Sequence, residues 1–215
     1  MTDYERARQR MVESQLRTGN VTDRRILSIM GRIPRELFVP EGRRAIAYID
    51  DVQPLGAGRF LAAPAPFAKL LQLAAIEPHE HVLDLGAGTG YSTAVIAGLA
   101  ASVVGIEADA DLVAAASANL ATLGIANASV VQGSLSEGGK GEYDVVIVDG
   151  ALEAVPQALF DRLKDDGRLV ALVLEGATAV ANVYVRTGKE VAARAEFNST
   201  LPLLETSRAT EEFVF

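Results

Sequence analysis

The stretch Val82-Leu83-Asp84-Leu85-Gly86-Ala87-Gly88-Thr89-Gly90-Tyr91 constrains this chain more than any other. A short apolar run ends in three glycines at alternate positions, and a segment of small and apolar residues follows at once. Glycine admits backbone conformations closed to other residues and lets the main chain approach another group with no Cβ in between. The pattern therefore predicts a strand, a tight loop and a helix in immediate succession. The N–H groups that open such a helix point into the loop, a place suited to a carboxylate or a phosphate.

The rest of the chain supplies the neighbours this unit needs. From His81 onward strand and helix patterns alternate: strand 81–85 and helix 91–101, strand 102–107 and an alanine-rich helix 109–123, strand 128–132, strand 143–149 and helix 155–164, then strand 168–174. The strands are near-continuous apolar runs, as in parallel sheets buried on both faces. Residues 179–187 and 190–198, joined through Gly188, read as an antiparallel hairpin closing one edge. The expectation is an α/β chain with a Rossmann-like, doubly wound, mostly parallel seven-stranded sheet.

Ahead of it stands an N-terminal helical extension. Residues 3–31 carry apolar positions at helical spacing, interrupted at Gly19-Asn20, with Thr22-Asp23 placed to cap a second helix. Pro34, Pro40 and Pro54 keep 32–58 mostly irregular, and Pro64–Ala75 reads as a further helix. Residues 1–78 form this helical and acceptor-loop region and 79–215 the ligand-binding domain, a soft division within what is expected to be one structural unit.

Composition narrows the function classes. The 215 residues carry a formal net charge of −8, which argues against a nucleic-acid groove as the main surface, since that needs a basic stripe. The chain has no cysteine, which removes thiolate nucleophiles and thiolate zinc sites together. His79-Glu80-His81 has an H-x-H spacing but sits in the polar turn before a strand with no third ligand evident, so no metal is expected. The first residues are charged and lack a signal-peptide core, and no apolar run is long enough to span a bilayer. The expected location is the cytoplasm.

The glycine spacing bears on the ligand. Dinucleotide-binding domains use G-x-G-x-x-G/A, which would place bulky Tyr91 where the third small residue belongs. Gly86, Gly88 and Gly90 instead make the G-x-G-x-G form, two residues after Asp84. That form resembles the class I methyltransferases, which bind S-adenosylmethionine. The resemblance implies that the loop, with Ala87 and Thr89 between its glycines, wraps the methionine moiety, and that Asp84 meets its amino group. Glu107, at the end of the second strand and followed by Ala108, can accept both ribose hydroxyls. Ser134 stands where many such enzymes place an acid for the adenine amino group, and Leu135 can lie against the adenine ring. Asp149 ends the fourth strand, facing the crevice in which such sheets bind ligands, or else caps the turn before Gly150.

Further segments resemble one family within that class, the protein-L-isoaspartate O-methyltransferases. They are Met11-Val12-Glu13-Ser14-Gln15-Leu16-Arg17, Ile33-Pro34-Arg35-Glu36-Leu37-Phe38-Val39-Pro40, Ala47-Tyr48-Ile49-Asp50, and Leu159 through Val170. The resemblance covers roughly residues 5–175, and Glu211–Phe215 looks like a remnant of the usual terminal strand. It implies methyl transfer from S-adenosylmethionine to the free carboxylate of an isoaspartyl residue, with a protein or peptide as partner. The family's acceptor segment, G-Q-T-I-S-Q-P, here reads Gly58-Arg59-Phe60-Leu61-Ala62-Ala63-Pro64. Phe60 and Ala62 replace both hydroxyl residues, Ala62 standing at the position of the serine that holds the acceptor. Arg59 can compensate, since a guanidinium grips a carboxylate at two points, or can be a solvated loop charge. The alternative is a family member that methylates another acceptor or only binds the donor.

Overall fold

The computed structural model describes residues 3–176 and 178–204. Helix α1 (Asp3–Met11) runs into a π-helical turn, Val12–Leu16, and α2 (Arg24–Met30) is capped by Asp23, whose carboxylate accepts from the Arg25 N–H at 2.8 Å. Two 3-10 turns follow, Arg35–Phe38 and Glu41–Ile46. The segment expected to be irregular also holds half of an antiparallel hairpin, β1 (Gln53–Gly56) with β2 (Arg59–Leu61). Helix α3 (Pro64–Ala74) starts with proline in its first turn, where a missing N–H costs nothing, and ends on Ala75 in the left-handed region.

The main sheet is built from β3 (His81–Leu85), β4 (Ser102–Glu107), β5 (Ala128–Gln132), β6 (Tyr143–Leu152), β7 (Leu163–Glu175), β8 (Thr178–Thr187) and β9 (Glu190–Ser199). Its order is β5-β4-β3-β6-β7-β8-β9, parallel through β7 and antiparallel at the last two strands. This is the mostly parallel seven-stranded sheet that the sequence calls for. Winding runs outward from β3 through β4 to β5, then restarts at β6 on the other side of β3. Ligands of open α/β sheets bind at such a reversal, beyond the carboxyl ends of the strands.

Successive residues of the central strands feed two apolar layers. Val82, Val145 and Ile147 join α3, α4 (Tyr91–Ala97), α5 (Ala110–Thr122) and the N-terminal helices in one continuous core. Leu83, Leu85, Val146 and Val148 face a second layer made by Leu135, Leu159 and Leu163. Helix there is scarce: α6 spans Gln157–Phe160, well short of the expected 155–164. Leu163 already pairs with Tyr143 in the sheet, so the chain must leave the helix early to enter β7. Helix α4 stops at Ala97 rather than 101, with Gly98 closing its last turn. Residues 211–215, expected to be a strand remnant, lie outside the described residues. No helix among the described residues is long and apolar enough to cross a membrane.

Candidate active site

The loop after β3 is held from below by β4, since the N–H groups of Gly86 and Ala87 both donate to the Ile106 carbonyl, at 3.0 and 3.2 Å. Gly86, Gly88 and Gly90 adopt φ of +85°, +53° and +92°, the left-handed region that disfavours a side chain. Gly90 has a second reason to be glycine: a Cβ there would lie 3.0 Å from the Ala116 Cβ, so its absence lets α5 pack against the loop. Thr89 ties the loop to the N-terminal region, its hydroxyl donating to the Phe38 carbonyl at 2.6 Å. Tyr91 continues that tie, with its buried ring edge-on to Phe38, tilted on Phe67, and 5.0 Å from the Arg35 guanidinium.

Three carboxylates surround the loop, all buried. Asp84 accepts from the Ser92 and Thr93 hydroxyls at 2.7 and 2.6 Å through one oxygen, while the other has no partner. Burial pushes its pKa up to about 6, with Glu107 adding repulsion and the two hydroxyls and Arg59 opposing the rise. Asp149 also has one oxygen without a partner, and burial together with the nearby Asp84 charge pushes it up to about 8. Glu107 is fully satisfied. It accepts from the N–H groups of Gly88 (2.8 Å), Ala108 (2.8 Å) and Asp109 (3.2 Å), and from the Arg59 Nε, 3.1 Å from each oxygen.

Arg59 reaches this position from β2 and is only 8% exposed, so it is not a solvated loop charge. Its Nη2 contacts Glu107 at 3.1 Å and lies against the glycine loop, 2.8 Å from where a Cβ on Gly86 would be. Leu204 closes on the same glycine at 3.1 Å, held there by two main-chain bonds between Ala151 and residues 202 and 204. Leu55 of β1 approaches the corresponding point on Gly88 to 2.8 Å.

Ala62 is buried, and its carbonyl accepts from Nη2 of Arg35 at 2.5 Å. Arg35, completely buried, also donates to the Ala47 carbonyl at 2.6 Å and so pins residues 47 and 62 together. Sequence reasoning assigned it no role; its place in the Pro34-Arg35-Glu36 motif was the available signal. Phe60 packs its ring against Gly150. Leu135 belongs to the second apolar layer, whereas Ser134 is exposed and pairs with the Ser136 hydroxyl at 2.9 Å. The structure thus brings Arg59, Asp84, the three glycines, Glu107 and Asp149 together. Glu80 and His81 are engaged elsewhere, with Arg168 and with Ser102.

A dinucleotide enzyme would need a small residue where Tyr91 stands, yet here an aromatic ring fills that position and is packed on two others. The loop instead places the chain in the class of Rossmann-like, S-adenosylmethionine-dependent methyltransferases. Residues 6–203 match the family described as protein-L-isoaspartate(D-aspartate) O-methyltransferase. A relative named protein-L-isoaspartate O-methyltransferase 2, from Anaeromyxobacter sp. (strain Fw109-5), is 39% identical over 77% of this chain and 69% of its own length. One named protein-L-isoaspartate O-methyltransferase, from Methanoculleus marisnigri, is 40% identical over 78% of this chain and 77% of its own. The chain belongs to the protein-L-isoaspartate(D-aspartate) O-methyltransferase family. Solved structures agree in fold. One named protein-L-isoaspartate O-methyltransferase superposes with a TM-score of 0.78 at 23% identity, over 92% of this chain and 65% of the other. One from Plasmodium falciparum, titled as the same type of enzyme in complex with S-adenosyl-L-homocysteine, gives 0.79 at 21% identity over 93% and 99%.

Proposed function

We propose that this protein transfers the methyl group of S-adenosylmethionine to the free carboxylate of isoaspartyl residues in proteins and peptides. The observation that carries the reading is the pair of buried, unpartnered carboxylate oxygens on Asp84 and Asp149 beside the glycine loop. Burial without partners holds both groups towards their neutral forms, and a donor bearing an ammonium and a sulfonium would favour their charged forms, so such a crevice fits it. Glu107 presents acceptors suited to a ribose diol, and Gly86 and Gly88 leave the loop open to close approach. Leu55, Arg59 and Leu204 crowd those glycines through side chains that can rotate.

When bound, S-adenosylmethionine supplies a methyl group activated by a sulfonium leaving group. In this reading Asp84 and Asp149 hold the donor's cationic end and Glu107 its ribose, while Ser134 and Leu135 bound the adenine side. Residues 59–62, pinned by Arg35, orient the acceptor. An acceptor oxygen forms the new C–O bond as the C–S bond breaks, and because the acceptor is already an anion no proton has to move. Alignment then supplies most of the rate. The ester so formed can close to a succinimide as the neighbouring backbone nitrogen displaces methanol, and water can reopen the ring partly as normal aspartate, which makes the chemistry a repair. A cytoplasmic setting goes with this reading, as does the division at residue 78 between acceptor-side and donor-side chain.

The test uses the purified protein. S-adenosylmethionine and S-adenosylhomocysteine should each raise its melting temperature, and labelled methyl should appear on an isoaspartyl peptide as a base-labile ester but not on its aspartyl counterpart. Donor binding without ester formation would favour a second reading, a different acceptor, for which Phe60 and Ala62 in place of the family's hydroxyl residues speak.

A further inference from the structure

Glu107 has two oxygens, and the donor's ribose needs both. Three backbone N–H groups already take part of their capacity, and the Arg59 guanidinium covers the remainder, with Nε 3.1 Å from each oxygen. The same guanidinium lies across Gly86, where the loop would have to meet the donor. Arg59 and the ribose therefore compete for one seat. A guanidinium this buried cannot be left without an anion, and the other two carboxylates of the crevice are those the donor's own cationic end would claim. The reaction brings in two carboxylates, the donor's own α-carboxylate and that of the acceptor, and the position of Arg59 in the chain favours the second. Arg59 sits on the strand that leads through Phe60 and Leu61 to Ala62, where the family's acceptor-holding hydroxyl is missing.

We propose that Arg59 is handed from one substrate to the other: the donor's ribose displaces it from Glu107, and the displaced guanidinium becomes the two-point partner of the acceptor carboxylate. This deepens the methyltransferase reading and rests on it. It also answers an electrostatic difficulty. An anionic acceptor must approach a crevice lined by Asp84, Glu107 and Asp149, and a mobile cation delivered beside it offsets that repulsion. Order of addition follows, with the donor binding first, because Arg59 is free for the acceptor only after Glu107 has been taken. Ala62 then needs no hydroxyl, since a guanidinium offers two parallel charge-assisted bonds where serine offered one neutral one.

Two titrations test this, S-adenosylhomocysteine into the protein and an isoaspartyl peptide into the protein saturated with S-adenosylhomocysteine. Arg59→Gln should tighten S-adenosylhomocysteine on the order of tenfold, because a charge-assisted competitor is gone, and should weaken the peptide by tenfold or more. In turnover the peptide KM should rise while kcat changes by less than about threefold. The wild-type protein should bind the peptide only after the nucleoside. Unchanged or weaker S-adenosylhomocysteine binding in R59Q, or unchanged peptide binding, overturns the proposal. Failure of the wild-type protein itself to bind S-adenosylhomocysteine would instead sink the donor reading, so the two failures are distinguishable. Should R59Q not fold, Arg59→Lys carries the test. It keeps the charge but loses the two-point grip, so S-adenosylhomocysteine should bind more tightly and the peptide more weakly than in wild type, both by smaller factors.

Discussion

Glu107→Gln probes the most heavily used side chain in the crevice. Glu107 is completely buried and accepts from three backbone N–H groups and from Arg59. Glutamine keeps the shape but turns one acceptor oxygen into an NH2 facing donors. It also strips Arg59 of its only ion-pair partner among the described residues. Breaking a buried pair from one side typically costs about 3–5 kcal/mol. For a chain of this size each kcal/mol lowers the melting temperature by roughly 2–4 °C, so E107Q should melt on the order of 10 °C below wild type. The reverse removal, Arg59→Gln, should cost less, about 1–2 kcal/mol, because Glu107 keeps its three backbone donors. In the double variant two facing amides can bond to each other, so its loss should be about 1–3 kcal/mol smaller than the sum of the single losses. Calorimetric unfolding of the four proteins, with urea titration to check two-state behaviour, gives the cycle. An E107Q protein melting within about 2 °C of wild type, or strict additivity in the double variant, would refute the view that this pair is a tightly coupled buried unit.

Other perturbations follow from the same geometry. Gly90→Ala forces a side chain onto φ +92° and against Ala116, so it should cost about 2 kcal/mol or more, read as a fall in melting temperature that Gly42→Ala, at an open position, does not reproduce. Asp84 and Asp149, held near 6 and 8 against an ordinary value of 3.8, make the folded state bind more protons than the unfolded one between those values. Their contribution to stability therefore declines as pH rises from about 4 to about 8, whereas affinity for the cationic donor should climb over pH 6–8; calorimetry should find both trends weakened in Asp149→Asn. Arg168 grips both oxygens of Glu80 at 2.7 and 2.8 Å and also donates to the carbonyls of Ala74 and Ala75. Arg168→Ala should cost about 2–4 kcal/mol by urea unfolding, yet leave S-adenosylhomocysteine affinity unchanged, because this cluster sits at the end of the sheet away from the glycine loop.

The donor half of the fold was legible because its signals are local. Strands 81–85, 102–107 and 128–132 fall where apolar runs end in glycine or an acid, and Asp109 caps α5 through two backbone bonds, as its position before an alanine-rich run suggests. What the sequence hid was set by tertiary contact. A four-residue strand containing Pro54 has no local pattern, and β1 exists because β2 pairs with it. The expected helix over 155–164 shrinks because Leu163 belongs to the sheet, a competition invisible to periodicity. Arg59 and Glu107 are 48 residues apart, so their pairing could not be read from spacing, although each had been singled out on its own.

The apolar acceptor segment looks at first like a loss, but the chemistry admits another view. Methyl transfer from a sulfonium to a carboxylate joins opposite charges into neutral products, so charge shrinks on the way to the transition state. A polar cradle stabilises the separated charges of the ground state more than the transition state and works against such a step. A hydroxyl bonded to the attacking oxygen has this effect, because it must loosen as the new bond forms. In the proposed reading Phe60 and Ala62 present hydrocarbon there instead, which favours neutralisation but grips the acceptor poorly. Binding then has to come from an interaction that brings the acceptor in without lowering the dielectric advantage for the chemical step. A guanidinium can bond both carboxylate oxygens in its own plane and still leave an outer lone pair of one of them free to attack. The trade between serine and arginine is thus between local hydrogen bonding and placed charge, and a chain with Arg59 at this position can make that trade where one with a neutral residue there cannot.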